Sequence, residues 1–307
     1  MVSPVLVDSV IYASIYGLMS MGLTVTYITT KVPNFAFGSL VTIGIYVAFP
    51  FARIDGISPY ETLPLAFLMG GAVSVAMYLL VLRPLAKRGS STTSLMIATL
   101  AVDTILTGLI LVFDDYLRYR YAIIDSEGFA PVGHEIQLFG LPGLFVIAPL
   151  TLALATIALW LMLTRTRLGI AIRAAVENQA LARTVGVNVE RVFLIAWFIA
   201  GGLAGLVGPF YAIHLGGQAS TGSVIIVGIF AASVLGGITS VYGAMVGGLI
   251  VGGSEVILTT VGSQLLGSWV FTYEPGIPLL VMIATLLVLP KGLAGVNWRR
   301  LTALRGK

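Results

Sequence analysis

Apolar residues fill nine long runs of this chain, and short polar segments separate the runs. About 20 mostly apolar residues form a helix that crosses the hydrocarbon layer. On this basis the second, seventh and ninth runs are short or interrupted by Gly and Pro, so they could be re-entrant half-helices. The pattern predicts an all-α fold, a polytopic transmembrane helical bundle of about eight to ten spans. The predicted spans are residues 8–29, 35–52, 61–82, 92–113, 143–163, 192–213, 222–238, 243–261 and 275–290.

Composition also places the chain among membrane proteins. Hydrophobic residues make up 58% of the sequence, charged residues 10%, and the mean hydropathy is +1.01, whereas a soluble domain has about 25% charged residues. The absence of cysteine excludes a disulfide framework and a cysteine nucleophile. Asp8 stands where a signal peptide would carry basic residues, so we expect the first run to be a retained span.

Charged residues are divided unequally between the two sides of the predicted bundle. Because cytoplasmic loops hold the excess of Lys and Arg, we expect the N-terminus outside and the C-terminus inside, in a multi-pass protein of the plasma (cytoplasmic) membrane. This bias accounts for the net charge of +4 without a nucleic-acid partner. Of 17 basic residues, 14 fall inside: Lys31, Arg83, Lys87, Arg88, Arg165, Arg167, Arg173, Arg183, Arg191, Lys291, Arg299, Arg300, Arg305 and Lys307. Nine of 13 acidic residues fall outside: Asp8, Asp55, Glu61, Asp114, Asp115, Asp125, Glu127, Glu135 and Glu274.

Two interruptions of the apolar runs are candidates for a translocation path. In residues 31–38, Pro33 disfavours a helix and Asn34 places an amide at the membrane edge; residues 235–243 contain a glycine pair. Interrupted helices in transporters expose backbone dipoles at membrane depth, although two ordinary tight turns are the alternative. The candidate path residues from these segments are Asn34, Phe35, Phe37, Gly38, Gly236 and Gly237.

Glycines spaced four residues apart predict close packing between helices. Small residues at this spacing let helix backbones approach each other in lipid. The alternative is that these smooth faces let spans slide or line a path. The pairs are Gly201 with Gly205, Gly243 with Gly247, and Gly248 with Gly252.

Two ionisable residues fall within predicted spans. A charge at the centre of a bilayer costs at least about 2.5 kcal/mol, so both are candidates for the path. Asp103 is flanked by threonines and should face the interior of the bundle; Glu255 follows Ser254 nearer the outer side. The alternative for each is a hydrogen-bonded carboxyl group that stabilises helix packing.

Motifs of enzyme chemistry are absent from the sequence. The two histidines, His134 and His214, have no carboxylate pair at ligand spacing, and no HExxH or GxSxG motif occurs. No GxxxxGK[ST] loop for phosphate occurs either. If ATP powers transport, another chain must bind it.

A long polar segment, residues 164–191, interrupts the apolar pattern between the fifth and sixth spans. A short helix is predicted from Gly169 to Thr184, and Gly186 should end it in the left-handed conformation. The predicted helix has more apolar residues than a free linker would have. The segment could transmit force from a soluble partner, or it could be an amphipathic helix that rests on lipid headgroups.

Here the chain resembles a known family. The stretch RLGIAIRAAVENQALARTVGVNVERV resembles the cytoplasmic coupling segment of LivH-type permeases of branched-chain amino-acid ABC importers. Three further stretches resemble the same family: GLMSMGLTVTYITTKVPNFAFGSLVTIGIY, AGGLAGLVGPFY and LGGITSVYGAMVGGLIVGGSE. The resemblance therefore covers nearly the whole chain. Phe37 and Ser39 depart from the family pattern, as does the carboxylate of Asp103. The resemblance implies coupling roles for Arg173, Ala174, Glu177, Asn178, Ala182, Gly186 and Asn188.

The resemblance implies a single transmembrane permease domain over residues 1–307 that works by alternating access. Its expected partners are membrane lipid, a second, LivM-like permease, two cytoplasmic ATPase subunits and an external solute-binding protein. No cofactor is expected on this chain, because ATP and Mg²⁺ would bind the ATPases. The solute would be a branched-chain amino acid, or a related amino acid, urea or a short amide. An ion-coupled secondary transporter or channel with Asp103 as its relay is the alternative; a membrane-embedded hydrolase lacks any suitable residue constellation.

Overall fold

The structure is a computed structural model that describes residues 3–121, 136–138, 140–289 and 292–295, and it is almost entirely helical. Strands β1 (Gln137–Leu138) and β2 (Leu141–Pro142) form a small antiparallel hairpin. A π-helical turn, Tyr78–Leu82, joins α3 to α4, and 3₁₀ turns occur at Pro59–Thr62, Ser268–Gly276 and Leu293–Gly295. The helices are α1 (Pro4–Thr30), α2 (Phe37–Arg53), α3 (Leu63–Met77), α4 (Arg83–Lys87), α5 (Thr92–Tyr121), α6 (Gly143–Arg165), α7 (Arg167–Glu177), α8 (Gln179–Thr184), α9 (Val189–Leu215), α10 (Thr221–Gly236), α11 (Val241–Leu266) and α12 (Ile277–Val288).

Each predicted span coincides with helix in the described part of the chain, so the all-α membrane bundle is confirmed. α2 and α10 are apolar but shorter than a typical span, as the second and seventh runs indicate. The third span is longer than predicted because helical turns extend it at both ends. Seven helical segments there are long and apolar enough to cross a membrane: Pro4–Thr30, Pro59–Lys87, Thr92–Tyr121, Gly143–Arg165, Val189–Leu215, Val241–Leu266 and Ser268–Gly295.

Capping side chains fix the starts of several helices. The Ser3 hydroxyl accepts a hydrogen bond from the Leu6 amide (3.4 Å) at the start of α1. Asn188 accepts one from the Arg191 amide (3.1 Å) at the start of α9. Such caps satisfy backbone N–H groups that have no partner within the helix.

The predicted glycine pairs lie at close contacts between helices. Gly201 and Gly205 of α9 pack against α3, Gly243 and Gly247 of α11 pack against α10, and Gly248 and Gly252 pack against α1. α1 runs along α11, and α9 packs against both α2 and α3. The prediction of close packing is therefore confirmed, and α1 and α9 are the most buried of the helices long enough to cross a membrane.

The two ends of the bundle differ in charge. We call the end with residues 31, 83–88 and 164–191 the basic end, and the end with residues 54–58 and 267–276 the acidic end. Several residues used for the orientation lie outside the described part of the chain, as does His134: Asp125, Glu127, Glu135, Lys291, Arg299, Arg300, Arg305 and Lys307.

Candidate coupling segment and translocation path

The polar segment at the basic end forms two short helices, α7 and α8, so the prediction of one helix from Gly169 to Thr184 is wrong. Asn178 separates them in an extended conformation (φ −152°, ψ 105°). Its amide donates to the Ala174 carbonyl (3.0 Å), and its side-chain oxygen accepts from the Leu181 amide (3.0 Å). Asn178 therefore ends α7 and caps α8. Asparagine is a favoured N-cap, a signal that could have located the break.

Gly186 ends α8 as predicted. Its φ is +86°, a left-handed conformation that glycine adopts without steric cost. The Gly186 amide donates to the Arg183 carbonyl (3.1 Å) and the Val187 amide to the Ala182 carbonyl (2.9 Å). This pair of bonds is a Schellman motif, which turns the chain toward α9.

One face of this polar segment, residues 164–191, which we call the coupling segment after its predicted role, is exposed at the basic end. Among the residues predicted for coupling, Ala174 is half-buried, Ala182 is buried, and the others are exposed: Arg173, Glu177, Asn178, Gly186 and Asn188. Three apolar side chains are exposed beside them, at 60% for Ile170, 62% for Leu181 and 71% for Val185. The sequence gives these three no coupling role, because helical periodicity does not distinguish an exposed apolar residue from a packed one.

The other face of the coupling segment is anchored in a hydrophobic cluster, which we call the coupling cluster. From the segment, Ile172, Ala175 and Ala182 belong to it. The cluster extends to Val32 and Ala36 in the link between α1 and α2. Its other buried members come from the third span, α5 and α9: Met77, Tyr78, Leu82, Leu95, Val102, Val189, Val192, Phe193 and Trp197. A displacement of α7 and α8 would therefore also shift the α1–α2 link and α5, because packed cores transmit strain.

Ion pairs connect the start of α9 to the end of the third span. Glu190 pairs with Arg83 and with Lys87, the latter at 3.0 Å. The side chains are partly exposed to solvent, so these pairs contribute little to stability. A cavity of about 720 Å³ adjoins them and is lined also by Gln179 and Arg183 of the α8 region.

The α1–α2 link enters the depth of the bundle. The Phe37 ring lies against Gly22, eight residues or about 12 Å before the end of α1. Asn34 is fully buried, and its side-chain oxygen accepts from the Ala36 amide (3.1 Å). The Phe35 amide donates to the Thr99 hydroxyl of α5 (3.3 Å). Non-helical backbone is thus covered by protein, as the bilayer interior requires.

Asp103 lies at the contact between α2 and α5. The Ser39 hydroxyl donates to Asp103 Oδ1 (2.5 Å) and lies 3.3 Å from the Thr107 hydroxyl. Thr99, Asp103 and Thr107 are spaced at four residues and so share one face of α5, which faces the link and α2. Asp103 therefore lies beside the start of α2, and Thr99 on the same face of α5 contacts the α1–α2 link. Phe37 instead packs on Gly22 of α1, and Gly38 packs on Gly222 of α10.

The remaining candidate path residues lie elsewhere. Gly236 and Gly237 form the α10–α11 link, where Gly237 (φ +103°) is packed against Ala294; this geometry is that of a tight turn. Glu255 is 5% exposed and lies near Tyr16, on the side toward the acidic end. The predicted path residues thus form three separate groups.

Comparison with known proteins agrees with this geometry. Residues 5–289 match the protein family described as "Branched-chain amino acid transport system / permease component". The chain belongs to this family. It is 40% identical to the probable branched-chain amino acid transport permease protein LivH of Methanocaldococcus jannaschii over 98% of this chain and 95% of that one. It is 27% identical to the high-affinity branched-chain amino acid transport system permease protein LivH of Escherichia coli K12, over 94% of each.

A solved structure has a similar fold. The structure titled "PsaBC from Streptococcus pneumoniae in complex with Fab" aligns with a TM-score of 0.50 and 14% identity, over 92% of this chain and 91% of that one. At this identity the likeness concerns the fold alone. The chain belongs to a permease family and has several helices long enough to span a membrane. It is therefore a multi-pass membrane permease subunit.

Proposed function

We propose that this permease imports branched-chain amino acids as the membrane-spanning part of an ABC importer. The 40% identity to a LivH protein over nearly the whole chain supports this solute class. Related amino acids, urea and short amides are further candidates. An external solute-binding protein would deliver the solute, a LivM-like permease would complete the membrane domain, and two cytoplasmic ATPases would hold ATP and Mg²⁺. The N-terminus would be outside and the C-terminus cytoplasmic.

The observation that carries the proposal is the two-faced coupling segment. Its exposed face combines charged and amide groups with Ile170, Leu181 and Val185. Apolar anchors surrounded by polar groups are typical of protein interfaces. A helix resting on lipid headgroups would also expose apolar residues, but the α7–α8 break and the turn at Gly186 give the segment a fixed shape suited to a protein partner.

The coupling cluster provides a route from this segment to the candidate path. Closure of the ATPases would push α7 and α8, whose buried residues share the cluster with Val32 and Ala36. These two residues flank the buried Asn34 and precede Phe37, so the start of α2 would shift against α5. In this mechanism, Ser39 and Asp103 lie where the two helices would separate or close.

The test is purification of the intact complex from native membranes in mild detergent. We expect two ATPase chains and a second permease to co-purify, and a leucine-loaded binding protein to stimulate ATP hydrolysis. Recovery of this chain alone, with uptake driven by a proton gradient and indifferent to ATP, would contradict the proposal.

A pair of variants locates the ATPase contact. Ile170→Ser should release the ATPases, because it removes an exposed apolar anchor without disturbing the buried face. Leu265→Ser is the control, since Leu265 is exposed at the acidic end. Equal ATPase recovery from both variants would show that the coupling segment is not the docking site.

A further inference from the structure

A second polar cavity lies on the acidic side of the bundle, away from the coupling segment and from Asp103. Its volume is about 250 Å³, enough to hold a small ligand group or several waters. Two carboxylates, Glu255 and Glu274, line it, together with the tyrosines of α1 and α9: Tyr12, Tyr16 and Tyr211. Neither arginine nor lysine is among the lining residues.

Glu255 and Tyr16 are the most enclosed polar residues of this cavity. Glu255 is 5% exposed, and its Oε2 atom has no hydrogen-bond partner among the described residues. The Tyr16 hydroxyl interacts with the same carboxylate, and Tyr12 with Glu274. A buried carboxylate oxygen without a partner is costly unless a donor or a cation meets it. Glu255 thus lines the cavity with one carboxylate oxygen that no described group satisfies.

The surroundings define the chemistry of that ligand. Carboxylates repel anions, so an anionic group is disfavoured at this position. The described residues contain no cluster of three or more His, Cys, Asp or Glu residues that could hold a metal ion. An ammonium group, in contrast, donates hydrogen bonds to carboxylates and is attracted to aromatic rings. Phe271 adds a fourth ring to the three tyrosines.

We propose that this cavity binds a primary ammonium group, with Glu255 as its main acceptor and with Glu274 and the tyrosines completing the enclosure. The ammonium could belong to a small solute or to the ethanolamine headgroup of a lipid. Both sources share the chemistry that the cavity recognises. The inference goes beyond the proposed function, because binding here requires neither the ATPases nor a binding protein.

The experiment uses the full chain in nanodiscs of phosphatidylcholine and phosphatidylglycerol, and butylammonium as the probe. We expect saturable binding by calorimetry, while butanol, a neutral probe of the same shape, and butyrate, an anionic probe of similar size, do not bind. Glu255→Gln should weaken butylammonium binding about 10-fold or more, because it removes the charge that the ammonium pairs with. Glu61→Gln is the matched control, since Glu61 is exposed at the acidic end.

A second measurement needs no variant and so does not depend on the folding of Glu255→Gln. Dicyclohexylcarbodiimide modifies carboxyl groups in apolar surroundings, and peptide mass analysis identifies the modified residue. Butylammonium should protect Glu255 from modification in the wild-type protein. Absence of both saturable binding and protection would overturn the proposal, as would equal binding of butanol.

The source of the ammonium follows from two competition arms. Loss of butylammonium binding in nanodiscs that contain phosphatidylethanolamine would assign the cavity to the lipid headgroup. Retained binding there, with displacement by free leucine, would assign it to a solute. Failure of ATP-driven leucine uptake would contradict the proposed function and leave the butylammonium result standing, so the two proposals fail separately.

Discussion

At the residue scale, the hydrogen bond from Ser39 to Asp103 allows a test between two mechanisms of transport, the ATP-driven importer and the ion-coupled transporter with Asp103 as its relay. In an ATP-driven importer the carboxylate holds α5 against α2, and a neutral amide can accept the same bond. Asp103→Asn should then retain most ATP-driven uptake and lower stability by about 1 kcal/mol, since it replaces a charged acceptor with a neutral one. Radiolabelled leucine uptake in proteoliposomes, with and without a proton gradient, measures this.

Asp55→Asn is the control, because Asp55 is exposed in the loop after α2. If Asp103→Asn abolished uptake while the protein stayed folded, the ion-relay alternative would be favoured. Sequence reasoning singled out Asp103 and Ser39 separately, Asp103 as an intramembrane charge and Ser39 as a departure from the family pattern. It could not pair them, because 64 residues separate them and their contact depends on how α5 packs against α2.

At the scale of elements, the contact between α1 and α11 depends on a glycine that cannot be enlarged. A Cβ atom at Gly248 would lie 2.5 Å from the Tyr16 carbonyl oxygen and 2.6 Å from Gly17 Cα. Both atoms belong to backbone, so the helices must separate. Gly248→Ala should destabilise the protein by about 1–3 kcal/mol, measured as unfolding in increasing dodecyl sulfate.

The control lies on the same helix. A Cβ atom at Gly253 meets nothing within 4 Å, and alanine favours a helix by up to about 1 kcal/mol over glycine. Gly253→Ala should therefore be neutral or stabilising. Equal destabilisation by both variants would mean that α11 does not pack on α1 in this way.

The break between α7 and α8 leads to a prediction about coupling. Asn178→Ala removes the N-cap of α8, which should cost about 1 kcal/mol and let residues 179–184 fray. Hydrogen exchange of those amides should rise, and stimulation of ATP hydrolysis by the binding protein should fall. Asn178→Asp is the control, since aspartate is an equally good N-cap. Unchanged exchange in Asn178→Ala would show that the cap does not hold α8.

These elements also show which features the sequence predicts reliably. Long apolar runs located each span, because length and hydropathy are local properties. The break at Asn178 was missed, since apolar residues recur on both sides of it and the periodic pattern continues across the cap. The sequence also could not predict that Glu255 lies in a cavity. Residues of α1, α9, α10, α11 and the Ser268–Gly276 turn line this cavity together, and their packing is not a local property of the sequence.

At the scale of the whole molecule, the orientation of the bundle rests on the distribution of charge. The chain has no cysteine, so each introduced cysteine is a unique reporter. Ser91 and Ser268 are both exposed, Ser91 between α4 and α5 at the basic end and Ser268 after α11 at the acidic end. Serine to cysteine changes one atom, which makes the two variants a matched pair.

In intact cells, a membrane-impermeant maleimide should label Ser268→Cys and should label Ser91→Cys only after permeabilisation. The physical reason is that basic loops stay on the cytoplasmic side during insertion. This orientation would also place α7 and α8 where the proposed cytoplasmic ATPases could reach them. The reverse labelling would put the coupling segment outside the cell. It would then contradict both the predicted orientation and ATPase docking at Ile170, because one membrane topology determines both.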